Sequence, residues 1–285
     1  MNEKKIESYI FSLIEKEKLF DNLDDQFERV EAEKYLSNAI ADAEFTLNLL
    51  EPYLNHNIKI LEVGGGLHLL SSYLLKQGYE ITSIEPGGFS FYIDKLRNNI
   101  LNILNSNNIY STSLEDFETQ KKFDLIFSVN VLEHTDSILE HIKCQINLLK
   151  DKSSRALFRA PNYNIPFEPH FYKFFIPFLP HFTFKSLFRK KLIEEYGERR
   201  YLEIFESINF DCKFSFINKY FSIDIKNPLS EIIKRLESDK IFNERILKNN
   251  KVKIIYKTLN FFKLNYLLNF LPKRFYPYLI FEIKK

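Results

Sequence analysis

Apolar residues at 58, 60, 61 and 63 predict a short buried strand that runs directly into three glycines, Gly64, Gly65 and Gly66. Helical spacing resumes over 67–77, and a second strand is expected over 80–84, ending on Glu85. A helix follows over 91–104 and stops at the Asn-Ser-Asn-Asn run of 105–108. Strands are predicted at 109–112, 123–129 and 155–159, with a helix at 137–149 between the last two. This alternation argues for an α/β fold: a Rossmann-like, doubly wound, mostly parallel sheet with helices on both faces.

Residues 1–55 read as a helical cap, with Ile6, Ile10, Leu13 and Ile14 on one face and Leu36, Ile40, Ala43, Leu47 and Leu50 on a later one. They are expected either to cap a cleft or to cover one side of the sheet. The rest, 56–285, reads as the main domain. Within it, Pro161, Pro166, Pro169, Pro177 and Pro180 predict a lid-like loop over 161–197 with no long helix before about Lys185. A helix at 198–208, a strand at 211–217, a helical insertion at 222–274 and a closing strand at 278–283 complete the pattern.

Composition narrows the function classes. A net charge of +2 over 285 residues lacks the basic excess of a nucleic-acid binder, so no nucleic acid is expected. Two cysteines, Cys144 and Cys212, suggest neither a disulfide framework nor a metal site and fit a reducing cytoplasm. No run of eighteen apolar residues is present to cross a bilayer, and the first residues lack the apolar core of a secretory signal. The histidines look scattered, so no metal is expected. Oligomeric state is not legible.

Charge is uneven along the chain. Residues 170–193 contain no acid and interleave Lys173, Lys185, Arg189, Lys190 and Lys191 with Phe171, Tyr172, Phe174, Phe175, Phe178, Phe182, Phe184 and Phe188. Residues 246–281 are also acid-free, with Ile255, Leu259, Phe262, Tyr266 and Phe270 at helical spacing. Basic aromatic segments of this kind suit an anionic membrane surface, which makes a peripheral position on the inner face of the membrane and a lipid-linked acceptor an expectation. The competing expectation is that the aromatics pack a lid while the lysines face water.

Glycines after a strand let backbone approach a ligand, and an acid at the end of the next strand suits a ribose. The spacing Gly64-x-Gly66-x-x-Leu69 lacks the third glycine of a dinucleotide fingerprint, and no tyrosine is followed by lysine four positions later, which weakens a nicotinamide-dependent oxidoreductase. Glu62 lies two positions before the glycines, Glu85 closes the second strand, and 123–134 ends in Asn130, Val131, Leu132, Glu133 and His134. With these features the chain resembles the class I S-adenosylmethionine-dependent methyltransferases, in particular the small-molecule subgroup similar to ubiquinone-biosynthesis enzymes.

That resemblance covers about residues 56–162 and implies a seven-stranded sheet, with 211–217 and 278–285 as its antiparallel edge. It also implies S-adenosyl-L-methionine as cofactor and a small-molecule acceptor methylated at O, N or C. On it, Glu62, Gly64, Gly65 and Gly66 approach the cofactor's amino-acid portion, Glu85 and the adjoining Pro86 take the ribose, Ser113 and Leu114 bracket the adenine, and Asn130 and Val131 lie beside the sulfonium. The chain departs from the family at His68, where a glycine or small residue is common, so a non-catalytic methyltransferase-like binding protein is the alternative. Candidate catalytic residues are His134 after the fourth strand and Glu168 and His170 in the proline-rich loop; helix capping and loop anchoring are their structural alternatives.

Overall fold

The computed structural model describes residues 5–13, 19–20, 23, 26–88, 91–104, 106–228, 236, 243, 253–254, 256–258 and 270–285. The chain runs α1 (Lys5–Leu13), α2 (Gln26–Leu50), β1 (Lys59–Val63), α3 (Leu69–Lys76), β2 (Glu80–Ile84), α4 (Phe91–Leu104), β3 (Ile109–Tyr110) and β4 (Leu125–Val129). It continues with α5 (Ile138–Leu148), β5 (Arg155–Pro161), β6 (Phe167–Glu168), β7 (Lys173–Phe174), α6 (Pro180–Phe182), α7 (Arg189–Tyr196), α8 (Glu198–Ser207), α9 (Phe214–Tyr220), β8 (Asp224–Lys226) and β9 (Tyr278–Lys284). Seven strands form one mostly parallel sheet in the order β3-β2-β1-β4-β5-β9-β8, and β6 and β7 make a separate antiparallel hairpin. β1 is parallel to both β2 and β4, whereas β8 and β9 are antiparallel.

Two compact units partition the chain. The first comprises Met1–Val129, Cys144–Leu157 and Lys284–Lys285, and the second Asn130–Lys143 and Phe158–Ile283. In the first, β1 and β2 are buried along all but their opening residue, as strands covered on both faces must be. The exposed start of β1 is held by Asp124, whose Oδ2 accepts the Lys59 amide at 2.9 Å. Ile6, Ile10, Leu36, Ile40, Leu47 and Leu50 of α1 and α2 share a core with Ile60, Ile81, Leu125 and Phe127, so these helices cover sheet residues. Leu13 stays 40% exposed and Ile14 lies outside the described residues, so the predicted α1 stripe is shorter than its spacing suggests.

The second unit has an aromatic core. Phe184 stacks on Phe210 with centroids 5.9 Å apart, Phe171 lies 5.4 Å from Phe184, and Tyr163 lies 5.0 Å from Phe210. Phe171, Phe175 and Phe184 of the proline-rich segment are therefore core residues, while Phe174, Phe178 and Phe182 are exposed. The expectation that these aromatics pack holds for the first three, while the other three face outward.

Two predicted elements need correction. Residues 211–217 are not a strand: Phe214–Tyr220 is helix α9, and the antiparallel edge is supplied by β8 at Asp224–Lys226. Asn162 Oδ1 accepts the Phe214 amide at 3.1 Å and Asn164 Oδ1 the Ser215 amide at 2.9 Å, capping donors at the start of α9. The insertion predicted at 222–274 thus opens with a strand, and most of its interior, with Ile255, Leu259, Phe262 and Tyr266, lies outside the described residues. The proline-rich segment has no long helix before Lys185, as expected: a three-residue helix, Pro180–Phe182, where proline at the first helical position loses no hydrogen bond, passes into a π-helical turn, Thr183–Leu187, ahead of α7.

Candidate cofactor and catalytic sites

The sheet order reverses at β1, with β2 on one side and β4 on the other, and ligands of such sheets bind beyond the carboxyl ends of the strands at that reversal. The glycine loop lies there. Gly64 and Gly66 have φ of 77° and 55°, a region glycine enters without steric cost. Gly65 is glycine for a different reason: a Cβ would come within 2.4 Å of Ser83 Oγ and 2.5 Å of His68 Nδ1. The loop turns back on β2, with the Gly64 and Gly65 amides donating to the Ile84 carbonyl at 2.9 and 3.1 Å.

Both predicted acids meet this loop. Glu85 accepts the Gly66 amide on Oε2 and the Gly87 amide on Oε1, each at 3.0 Å. Burial raises its pKa, while the two amides and Arg97 pull it down. A carboxylate has about four lone-pair positions, so acceptor capacity is left for a hydroxyl. Glu62 is buried, and Ser83 donates to its Oε2 at 2.6 Å. Burial pushes Glu62 up to about 7, and the Ser83 and Ser71 hydroxyls offset only part of that.

His68 joins the two acids rather than standing apart. Its side chain is fully buried, in left-handed backbone at φ 56°, the conformation that explains why a glycine is common there. Nδ1 lies 2.8 Å from Ser83 Oγ and Nε2 3.4 Å from Arg97 Nη2. Burial, then Arg97, lowers its pKa to about 3, so the ring is neutral. Arginine can only donate, so Nε2 accepts, Nδ1 donates to Ser83, and Ser83 donates to Glu62. Arg97 closes the chain by donating to the Glu85 carbonyl at 2.9 Å and to Ser111 Oγ at 3.1 Å. Sequence reasoning missed Ser83, Arg97 and Tyr35, whose hydroxyl is 4.0 Å from where a Gly66 Cβ would stand. Burial and the Glu85 charge raise the Tyr35 pKa, so the phenol keeps its proton. No motif flags these residues; they lie on α2, β2 and α4, and only folding gathers them.

The remaining predicted cofactor residues occupy strand ends and turns. Pro86 is exposed after Glu85. Ser113 Oγ donates to Asp116 Oδ2 at 2.8 Å and accepts the Asp116 amide at 3.1 Å, while Leu114 is buried beside it. Asn130 follows β4 directly at φ 56°, donating its amide to the Arg159 carbonyl at 2.8 Å. Val131 precedes the 3-10 turn Leu132–His134.

In the second unit the structure brings together the three predicted catalytic residues. His170 Nδ1 lies 2.6 Å from Glu168 Oε1, and the His134 and His170 rings meet edge to face at 5.1 Å. Glu168 is fully buried. Burial works against its charge, but His170 and the Phe171 amide, 2.6 Å from Oε2, outweigh that and lower its pKa. His134 Nδ1 lies 3.3 Å from the Ser207 carbonyl and 3.1 Å from Ser207 Oγ. Desolvation and the neighbouring His170 lower the His134 pKa, although the residue as a whole is exposed.

Glu133 completes this group and was not singled out from sequence, although it adjoins His134. It is 1% exposed, its Oε2 has no hydrogen-bond partner among the described residues, and burial pushes its pKa to about 7 against the pull of His170. Glu133, His134 and His170 each place a metal-binding atom within 4.8 Å of the others'. The histidines are therefore not all scattered, a correction that arises because the segments after β4 and β5 converge.

Residues 33–212 match the family described as a methyltransferase domain. The chain is 41% identical over 114 residues to the uncharacterized protein Rv1509 of Mycobacterium tuberculosis, covering 39% of each. It is 28% identical over 103 residues to a ubiquinone biosynthesis O-methyltransferase of Rickettsia bellii, covering 34% of this chain and 39% of that one. It thus spans about two fifths of the length of these curated relatives. Among solved structures it is similar to the plantazolicin methyltransferase BpumL in complex with SAH, at 12% identity and a TM-score of 0.47, covering 99% of this chain and 98% of that one.

Proposed function

This chain belongs to the methyltransferase domain family, and from that premise we propose that it is an S-adenosyl-L-methionine-dependent methyltransferase acting at O, N or C of a small-molecule or lipid-linked acceptor. The observation that carries this reading is Glu85, buried after β2 and pinned by the amides of Gly66 and Gly87. A carboxylate held in this way is oriented before any ribose arrives, and the nearest atom to where a Gly66 side chain would begin is the Tyr35 hydroxyl, at 4.0 Å. Glu62, Gly64, Gly65 and Gly66 would hold the amino-acid portion of the cofactor, and Glu85 and Pro86 the ribose. Ser113 and Leu114 would flank the adenine, with Asn130 and Val131 near the sulfur. When bound, the cofactor supplies a methyl group already activated on a sulfonium, so the protein's chief task is alignment.

His134, Glu168 and His170 form the acceptor-activating group in this proposal, with Glu168 orienting the His170 ring. The network of His68 supports a working cofactor site over a non-catalytic one, because His68 lies beneath the loop as a structural link. In a thermal-shift assay, S-adenosylmethionine and S-adenosylhomocysteine should each raise Tm, by about 2.7 kcal/mol of stability at a hundredfold excess over Kd. NAD should not. No shift with either adenosyl ligand would remove this function, and a shift with NAD alone would favour the oxidoreductase.

A lipid-linked acceptor is supported by the exposed apolar and basic residues of 174–190 in the second unit. Phe178 is 97% exposed, and Phe174, Ile176, Leu179, Phe182 and Leu187 are 41–55% exposed beside Lys185, Arg189 and Lys190. Among the described residues no helix is long and apolar enough to cross a membrane. The arrangement instead suits contact with an anionic bilayer from one side. The protein should float with phosphatidylserine vesicles at low salt, and Phe178→Ser with Leu179→Ser should abolish flotation; sedimentation of the unaltered protein away from the vesicles would exclude the surface.

A further inference from the structure

We propose that Glu133, His134 and His170 bind one divalent transition-metal ion of the zinc class, an inference that deepens the reading of this cluster as the acceptor-activating group. The three residues offer one carboxylate and two imidazoles, and their donor atoms already lie within 4.8 Å of one another. Bonds of about 2.0–2.1 Å to a tetrahedral ion need donor separations of about 3.4 Å, a closure of little more than an ångström. Side-chain rotation supplies that much, most readily for His134 at the surface.

What surrounds the three donors also fits. Histidines that ligate metals commonly have their second ring nitrogen fixed by a carboxylate or a backbone carbonyl. Here Glu168 Oε1 sits 2.6 Å from His170 Nδ1, and the Ser207 carbonyl and hydroxyl sit 3.3 and 3.1 Å from His134 Nδ1. Nε2 of each ring is then the nitrogen a metal would take. Glu168 is itself fixed by the Phe171 amide, so the orienting carboxylate cannot swing away. Glu133 gives an independent pointer: its Oε2 is buried with no hydrogen-bond partner among the described residues, and a buried carboxylate oxygen left in that state is costly unless something binds it.

Two histidines and one glutamate make a three-ligand set that leaves a fourth position open on zinc. That position would take an oxygen or nitrogen of the acceptor and lower its pKa, the proton passing to solvent water. The metal would thus do what a general base does elsewhere, and Glu168 would be a positioning residue for His170.

The test uses the tag-free 285-residue chain after chelator treatment, titrated with Co(II) and followed by visible absorption. One equivalent should develop the bands of tetrahedral Co(II), and Zn(II) should bleach them. Glu133→Gln and His134→Ala should each abolish the bands at one equivalent, and Glu168→Gln should weaken Co(II) binding about 10- to 100-fold, with far-ultraviolet circular dichroism unchanged. Absence of the bands in the unaltered protein, or their persistence in both Glu133→Gln and His134→Ala, would overturn the site. Binding of S-adenosylhomocysteine, measured on the same chelated sample, separates the two ideas. Homocysteine-ligand binding without Co(II) binding would sink the metal alone, whereas Co(II) binding without it would sink the cofactor reading alone.

Discussion

Glu62 lies opposite Ser83 in the register of β1 and β2, so its carboxyl is buried against a hydroxyl that can satisfy one oxygen but cannot neutralise a charge. The consequence is a proton held more tightly in the folded than in the unfolded chain, with a pKa of about 7 against 4.5. For an acid raised in this way, the stabilisation is fully present below about pH 4.5 and is lost as pH climbs through 7. Glu62→Gln keeps an acceptor for Ser83 and removes the titration. The variant should therefore gain stability relative to the unaltered protein as pH rises through this window, by up to about 1.4 kcal/mol per unit in urea denaturation. A constant difference across the window would show that the Glu62 pKa is not raised. The glycines teach a related lesson at this scale. Their run in the sequence suggested a single purpose, yet Gly64 and Gly66 serve backbone φ while Gly65 serves close packing on Ser83 and His68.

Among the elements, α9 shows where sequence pattern misleads and why. Cys212, Phe214 and Phe216 alternate with Lys213 and Ser215, the period of a half-buried strand. Local pattern was outweighed by caps from Asn162 and Asn164, about fifty residues earlier, which no local window contains. β8 was missed for the opposite reason: three residues with one buried side chain, Ile225, carry almost no pattern, and pairing with β9 alone makes them a strand. The five predicted parallel strands were legible because continuous apolar runs next to helical spacing have few other solutions. Asn162 is the fastening between these late elements. Its Nδ2 donates to the Arg274 and Tyr276 carbonyls at 3.1 and 2.8 Å, and its amide to Pro277 at 3.1 Å, just ahead of β9. Asn162→Ala should cost at least about 2 kcal/mol in chemical denaturation, since it strands buried groups on both sides. A change below about 0.5 kcal/mol would mean these contacts do not hold the edge.

At the scale of the molecule, the family and the doubly wound class of the sheet, though not the order of its strands, were readable from the alternation of strands and helices, the glycine run and the acids at 62 and 85, because those features recur wherever a parallel sheet turns back to hold a nucleotide. The catalytic candidates were readable only as scattered residues. That Glu133, His134, Glu168 and His170 form one group follows from a fold that returns the chain to the same place after β4 and β5, and no spacing rule reports it. The central claim is that Glu85 grips the cofactor's ribose, and isothermal titration of the unaltered protein and Glu85→Ala with S-adenosylhomocysteine tests it most directly. The unaltered chain should bind at one site. The variant should bind about 10- to 150-fold more weakly, the loss of one charge-assisted hydrogen bond of roughly 1.5–3 kcal/mol. Equal affinity in the two proteins, or no heat from either at saturating ligand, would contradict the account.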